Sequence, residues 1–264
     1  MDWRGVVFGA AIGAMAVSKA APVISLVTGE WPPFVSQSAP DMGPVTEIVR
    51  MAMKEAGYEV SIQFVSWPIA EAMVEKGSVF AAFPYLKTDA RLARFEFSDT
   101  LLTTTGRLFF FRPKWSSRTS YARLDELRPY TLGVIRGEWY LEEFGRLGLN
   151  LDYATTEAQS IAKLRAGRVD LVPMNDVVGW HHINTQFPKE SASFGVLEPP
   201  LNLVGHNRLL VSRSYPESRL LMQQFNDGLS RIRANGVYDR ILIRHGLTGQ
   251  APVSVDAPIP ARNH

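Results

Sequence analysis

With 264 residues, 46% of them hydrophobic and 20% charged, the chain holds apolar material for one large or two small globular domains. Its formal charge of +2, with no Lys/Arg cluster, gives no electrostatic footprint for nucleic acid. The lack of cysteine excludes disulfides, zinc–thiolate sites and a cysteine nucleophile.

The chain opens with Arg4 as its only early basic residue, followed by an uncharged, small-residue-rich run over Val6–Val17. That run is about 12 residues, short of the about 20 needed to cross a bilayer. Small residues stand at Ser18 and Ala20, the two positions a signal peptidase reads. Residues 1–21 therefore read as a secretory signal cleaved near Ala20–Ala21, leaving an exported protein.

Val23–Gly29 reads as a strand closed by Gly, and Glu30–Phe34 as a loop, because Pro32 and Pro33 cannot continue a ladder. Val45, Ile48, Val49, Ala52, Met53 and Ala56 recur at helical spacing, and Gly57 ends that helix. Val60–Val65 alternates as a strand, and Pro68 opens the next helix. Ala70–Tyr85 then reads AEAMVEKGSVFAAFPY, and Gln159–Asn175 repeats its design as QSIAKLRAGRVDLVPMN. Each is an amphipathic run stopped by Gly (Gly77, Gly167), with Val two residues on (Val79, Val169), a short apolar strand and a Pro (Pro84, Pro173). A helix that ends at Gly and feeds a buried strand is half of a βαβ unit. Two such units predict two α/β lobes whose strand tips, Tyr85 and Asn175, face one another across a ligand, since ligands sit outside the carboxyl ends of strands.

Between and after the repeats, Thr88 is placed to cap a short helix with Asp89 in its first turn. Arg107–Arg112, Thr131–Ile135, Leu151–Ala154, Asp170–Met174 and Arg208–Ser212 read as strands. Helices are expected over Trp139–Leu147, Thr156–Arg165, Asp176–Thr185, Ser218–Asn235 and Val237–His245. This alternation predicts a mainly parallel sheet. The Pro-rich 247–264 reads as a disordered tail.

An ordered set of short motifs runs through these elements: Trp31-Pro32-Pro33-Phe34, Gly-x-Val before a strand tip, Thr88-x-x-Arg91 followed by Phe97-Ser98-Asp99, Leu132-Gly133-Val134 with Gly137, Ala166-Gly-Arg-Val-Asp170, and Asn235-Gly-x-Tyr238. In this set and order, across Val23–Gly246, the chain resembles the bacterial periplasmic solute-binding proteins of the polar amino-acid class (type II, family 3), the receptors of ABC importers. The resemblance implies an α/β, two-lobed fold: two mixed sheets flanked by helices, with two hinge crossings. Lobe 1 would be residues 22–103 and 205–246, and lobe 2 residues 104–204. It implies a periplasmic, monomeric receptor for a small carboxylate-bearing ligand, such as an amino acid, with an ABC permease as partner and without a cofactor, a nucleic-acid partner or an enzymatic activity.

The resemblance also assigns candidate ligand-binding residues. Arg91 would grip the ligand's carboxylate, for which a planar guanidinium is suited. Trp31 would cover its apolar face, and Tyr85 would add a ring or a hydroxyl. Gly137-Glu138-Trp139-Tyr140 would start a helix with free N–H groups; there Glu138 could meet an ammonium or face solvent, and Trp139 could narrow the cleft or pack below it. Asn175 stands where amino-acid receptors place an ammonium-binding Asp, with Asp176 beside it as a substitute or as a helix cap. Departures from relatives concentrate at Phe83–Lys87, where hydroxyl donors are usual, and at Asn175. A dehydratase of prephenate-like compounds on the same scaffold, with Glu138 or Glu30 as general acid, and a ligand-binding sensor or accessory protein are the alternatives. His181 and His182, neighbours on a helix, diverge too far to share a metal and are expected at the surface or an interface.

Overall fold

The computed structural model describes residues 21–116, 119–136, 138 and 140–247. Residues 1–20 of the predicted signal (1–21), most of the predicted tail (248–264 of 247–264), Gly137 and Trp139 lie outside the described residues.

The first lobe begins with β1 (Val23–Thr28), α1 (Pro44–Glu55), β2 (Glu59–Phe64), α2 (Trp67–Glu75) and β3 (Ala81–Tyr85). β1 lies parallel to both β2 and β3, as helix-connected strands should. α3 (Asp89–Leu92) and the short β4 (Glu96–Phe97) follow. The chain then enters β5 (Leu102–Phe111), which continues into the second lobe. There it forms β6 (Thr131–Ile135), α4 (Leu141–Arg146), β7 (Asn150–Ala154), α5 (Glu157–Ala166), β8 (Val172–Asn175), α6 (Asp176–Gln186) and β9 (Phe194–Val196). It returns through β10 (Asn202–Val211) to α7 (Ser218–Ala234) and α8 (Val237–Arg244).

The two long strands are the crossings. β5 pairs antiparallel with β10 over Leu102–Gly106, then with β8 and β9 over Gly106–Phe111. β10 leaves β5 at Asn207 and pairs with β3 from Arg208 onward. The strand order is thus β2-β1-β3-β10-β5-β8, with β4 on β10 and β9 on β5. A parallel bridge between Leu132 and Leu171 sets the parallel β6–β7 pair beside β8. Sequence reading placed only Arg107–Arg112 and Arg208–Ser212 in strand. The threonine-rich start of β5 (LTTTG) and the polar start of β10 lack an apolar run, yet both are held by mutual pairing.

Alternation along these strands divides the core. Phe109 and Phe111 join the cluster that includes Ile161, Val178 and Phe194, while Leu108 and Phe110 pack with Leu132, Phe144 and Leu171 on the other face. In the first lobe Phe80 and Phe83 pack toward α1 and α7, while Ala82 and Tyr85 pack with Ala70, Val74 and Phe95. The repeated helix–Gly–strand design is present in both lobes: Gly77 and Gly167 have φ of 72° and 71°, where a side chain would be strained. Val79 and Val169 are buried just beyond them.

Candidate ligand-binding cleft

A cavity of about 630 Å³ is lined by residues from both lobes, including the tips of β3 and β8. Its floor is where the crossing strands meet: Asn207 Nδ2 donates to Thr104 Oγ1 at 3.0 Å, and both residues line the cavity while being buried. A polar pair at this depth needs such mutual satisfaction.

The first-lobe wall is aromatic. Trp31 sits in a tight loop closed by Trp31 N donating to Val35 O (2.8 Å) and Val35 N to Trp31 O (3.0 Å). Its ring lies 4.6 Å from that of Phe34, which is fully buried and anchors the loop. Trp67, at the start of α2, packs over Gly29, where an added Cβ would fall 2.6 Å from its Cε2. Tyr85 meets Trp67 edge-on (centroids 5.5 Å, 87°), and its hydroxyl donates to the Trp67 carbonyl at 3.2 Å. Burial first, then the nearby Glu71, pushes the Tyr85 phenol far above its ordinary range against the opposing pull of Arg91, so it stays neutral.

Arg91 is delivered by α3, whose cap is Thr88: its Oγ1 accepts from Arg91 N at 3.3 Å. The guanidinium lies over the Tyr85 ring at 4.8 Å. Its Nε and Nη2 donate to Glu71 Oε1 at 3.1 and 2.9 Å, and Nη1 to the Leu86 carbonyl at 3.2 Å. Thr88→Ala should lower stability by about 1 kcal/mol, the usual value of such a cap. Urea unfolding of the variant checks this, and an unchanged midpoint would show that the cap holds nothing.

The second-lobe wall is more polar. Ile135 at the end of β6, and Arg136, Glu138 and Tyr140 beyond it, line this wall. Burial and then Glu138 push the Tyr140 phenol well above its ordinary range. Here the sequence reading needs correction: α4 starts at Leu141 rather than Trp139 and has only six residues, so Glu138 lies in the approach to the helix, not in its first turn. Thr155, Thr156 and Glu157 line the cavity at the start of α5, where Thr156 Oγ1 accepts from Gln159 N at 3.1 Å. Glu157 pairs with His182 Nε2 at 3.2 Å, and His182 lines the cavity too. Asn175 lines the cavity but also caps α6, its Oδ1 accepting from Val178 N at 3.1 Å. The cap expected of Asp176 therefore belongs to Asn175. Asp176 is not among the lining residues and sits 3.7 Å from Arg107.

Of the candidates read from sequence, the cavity gathers Trp31, Tyr85, Arg91, Glu138 and Asn175. Sequence reading missed Trp67, Glu71, Arg136, Glu157 and His182. Glu71 follows Trp67 by four residues, so the two share one face of α2.

The model for bacterial extracellular solute-binding proteins, family 3, matches residues 23–248. The chain belongs to this family. Among solved structures, this solute-binding protein is similar to the substrate-binding protein of an amino acid ABC transporter (19% identity, TM-score 0.68, covering 84% of this chain and 98% of that one). A histidine kinase sensor domain with similarity to periplasmic binding proteins gives 21%, 0.70, 86% and 96% for the same measures. AncCDT-1, an ancestral amino acid-binding protein and a precursor of cyclohexadienyl dehydratase, gives 15%, 0.66, 84% and 94%. At such identities the likeness establishes the two-lobed fold. No curated protein matches the sequence. Among the described residues, no helix is long and apolar enough to cross a membrane.

Proposed function

We propose that this member of the family is an exported receptor that closes its two lobes on a small, amino-acid-like solute with a carboxylate and an apolar or planar body, and delivers it to an ABC permease. The observation that carries the reading is the cavity itself, walled by Trp31, Trp67 and Tyr85 on one lobe and by Glu138, Thr156 and Asn175 on the other. A ligand that touches both walls stabilises the closed arrangement over the open one, and only differential contact of this kind drives closure. Arg91 is the carboxylate donor in this reading, and the aromatic wall takes the apolar body. The solved relative that serves an amino acid ABC transporter supports the import role.

A second reading, a dehydratase of prephenate-like compounds, draws on one observation: Glu30 and Glu138, both cast as the general acid, line the same cavity as Arg91. One experiment separates the two. A thermal-shift and calorimetric screen of the purified protein against amino acids, dicarboxylates, aromatic acids and amines should find a saturable ligand that is recovered unchanged. Turnover of prephenate would replace the receptor reading with the enzymatic one, and a screen with no saturable ligand would remove the receptor reading.

A further inference from the structure

Arg91 does not meet the cleft with an open guanidinium. The Nε/Nη2 side of its fork, a side on which carboxylates bind in parallel, is taken by Oε1 of Glu71. Glu71 also lines the cavity, one turn beyond Trp67 on α2. Both partners are largely withdrawn from solvent, with side-chain exposures of 23% for Arg91 and 21% for Glu71. The other Glu71 oxygen lies 3.7 Å from Arg94, which is itself paired with Glu75 at 2.5 Å, so the carboxylate is held from two sides.

We infer that Glu71 is a specificity-determining residue of the cleft: a built-in carboxylate that occupies Arg91 and that a ligand's carboxylate must share or displace. This rests on the reading of the cleft as a solute site with Arg91 as its carboxylate donor. Glu71 acts through Arg91, as a positioning residue. With Glu71 in place the guanidinium charge is already offset, and an incoming anion meets a like charge within a few ångströms. The cavity as a whole reinforces this bias, since Glu30, Glu71, Glu138 and Glu157 line it against Arg91 and Arg136. Anionic ligands are therefore held back, and the cleft favours solutes whose carboxylate is balanced by a cationic group.

Glu71→Gln keeps the side chain's size and one acceptor for Arg91 but removes the charge. The test follows the Arg91 Nε–H resonance, assigned by its loss in Arg91→Lys, while benzoate is titrated into the wild-type protein and into Glu71→Gln. The variant should respond at a benzoate concentration at least tenfold lower than the wild type. Benzylamine, the same ring without a carboxylate, should gain nothing. Equal benzoate response in the two proteins, no response in either, or an equal gain for benzylamine would overturn the assignment. An amino acid bound by the wild type alongside equal benzoate responses would overturn the role of Glu71 and leave the receptor reading standing. Tighter benzoate binding by the variant, with no amino acid bound by either protein, would do the reverse.

Discussion

Replacing Gly228 by valine should lower the stability of the protein by about 3 kcal/mol, the upper part of the usual range for overpacking a core. Gly228 lies on the buried face of α7 where it crosses α1, and a Cβ there would fall 2.1 Å from the carbonyl oxygen of Ala52. The obstacle is backbone, so no rotamer change relieves it, and α7 must lift from α1. Around that crossing pack Ile48, Val49, Phe225 and Leu229, all fully buried, and the whole cluster would feel the displacement. Scanning calorimetry should show a fall of about 6–12 °C in Tm. Gly145→Ala in α4 is the contrast: nothing lies within 4 Å of its added Cβ, so the helix propensity of alanine should leave Tm equal or slightly higher. Equal behaviour of the two variants would show that the α1–α7 contact is not as close as described.

The second large effect is on affinity. For a carboxylate ligand found by screening, Arg91→Ala should weaken binding at least tenfold, ~1.4 kcal/mol. Two losses combine. The ligand loses its charge-assisted donor, and Glu71, left with only the more distant Arg94 at 3.7 Å, turns a less compensated carboxylate toward the cleft. Calorimetric titration of the variant reads the change directly, and unchanged affinity would remove Arg91 from the site.

Much of the frame was legible before the structure. The paired helix–Gly–strand units needed only period, glycine and proline, and both strand tips line the cavity as expected. Family membership was carried by the order of motifs from Trp31 to Tyr238, each weak alone. The crossings were less legible. Leu102–Gly106 and Asn202–Asn207 are strands because they pair with each other, and tertiary pairing leaves no periodic apolar trace in a threonine-rich or polar run. α4 starts at Leu141, two residues beyond the Trp139 that the Gly-led run predicts.

At the site, the legible residues were those with a distinctive type in a distinctive place: a Trp beside two prolines, an Arg three residues after a cap. The missed ones owe their position to long-range packing. Glu71 matters because Arg91, twenty residues on, folds back to it, and His182 because α6 packs beside α5 and brings it to Glu157. Neither meeting is written in local spacing. Within Phe83–Lys87, Tyr85 supports Arg91 with its ring and spends its own hydroxyl on the Trp67 carbonyl.

Clamping of a solute between the lobes requires that they close on binding. Small-angle X-ray scattering of the purified protein, free and saturated with the ligand that the screen identifies, tests it most directly. Closure predicts a smaller radius of gyration on saturation, lost together with binding in Arg91→Ala. A radius unchanged at full saturation would contradict it.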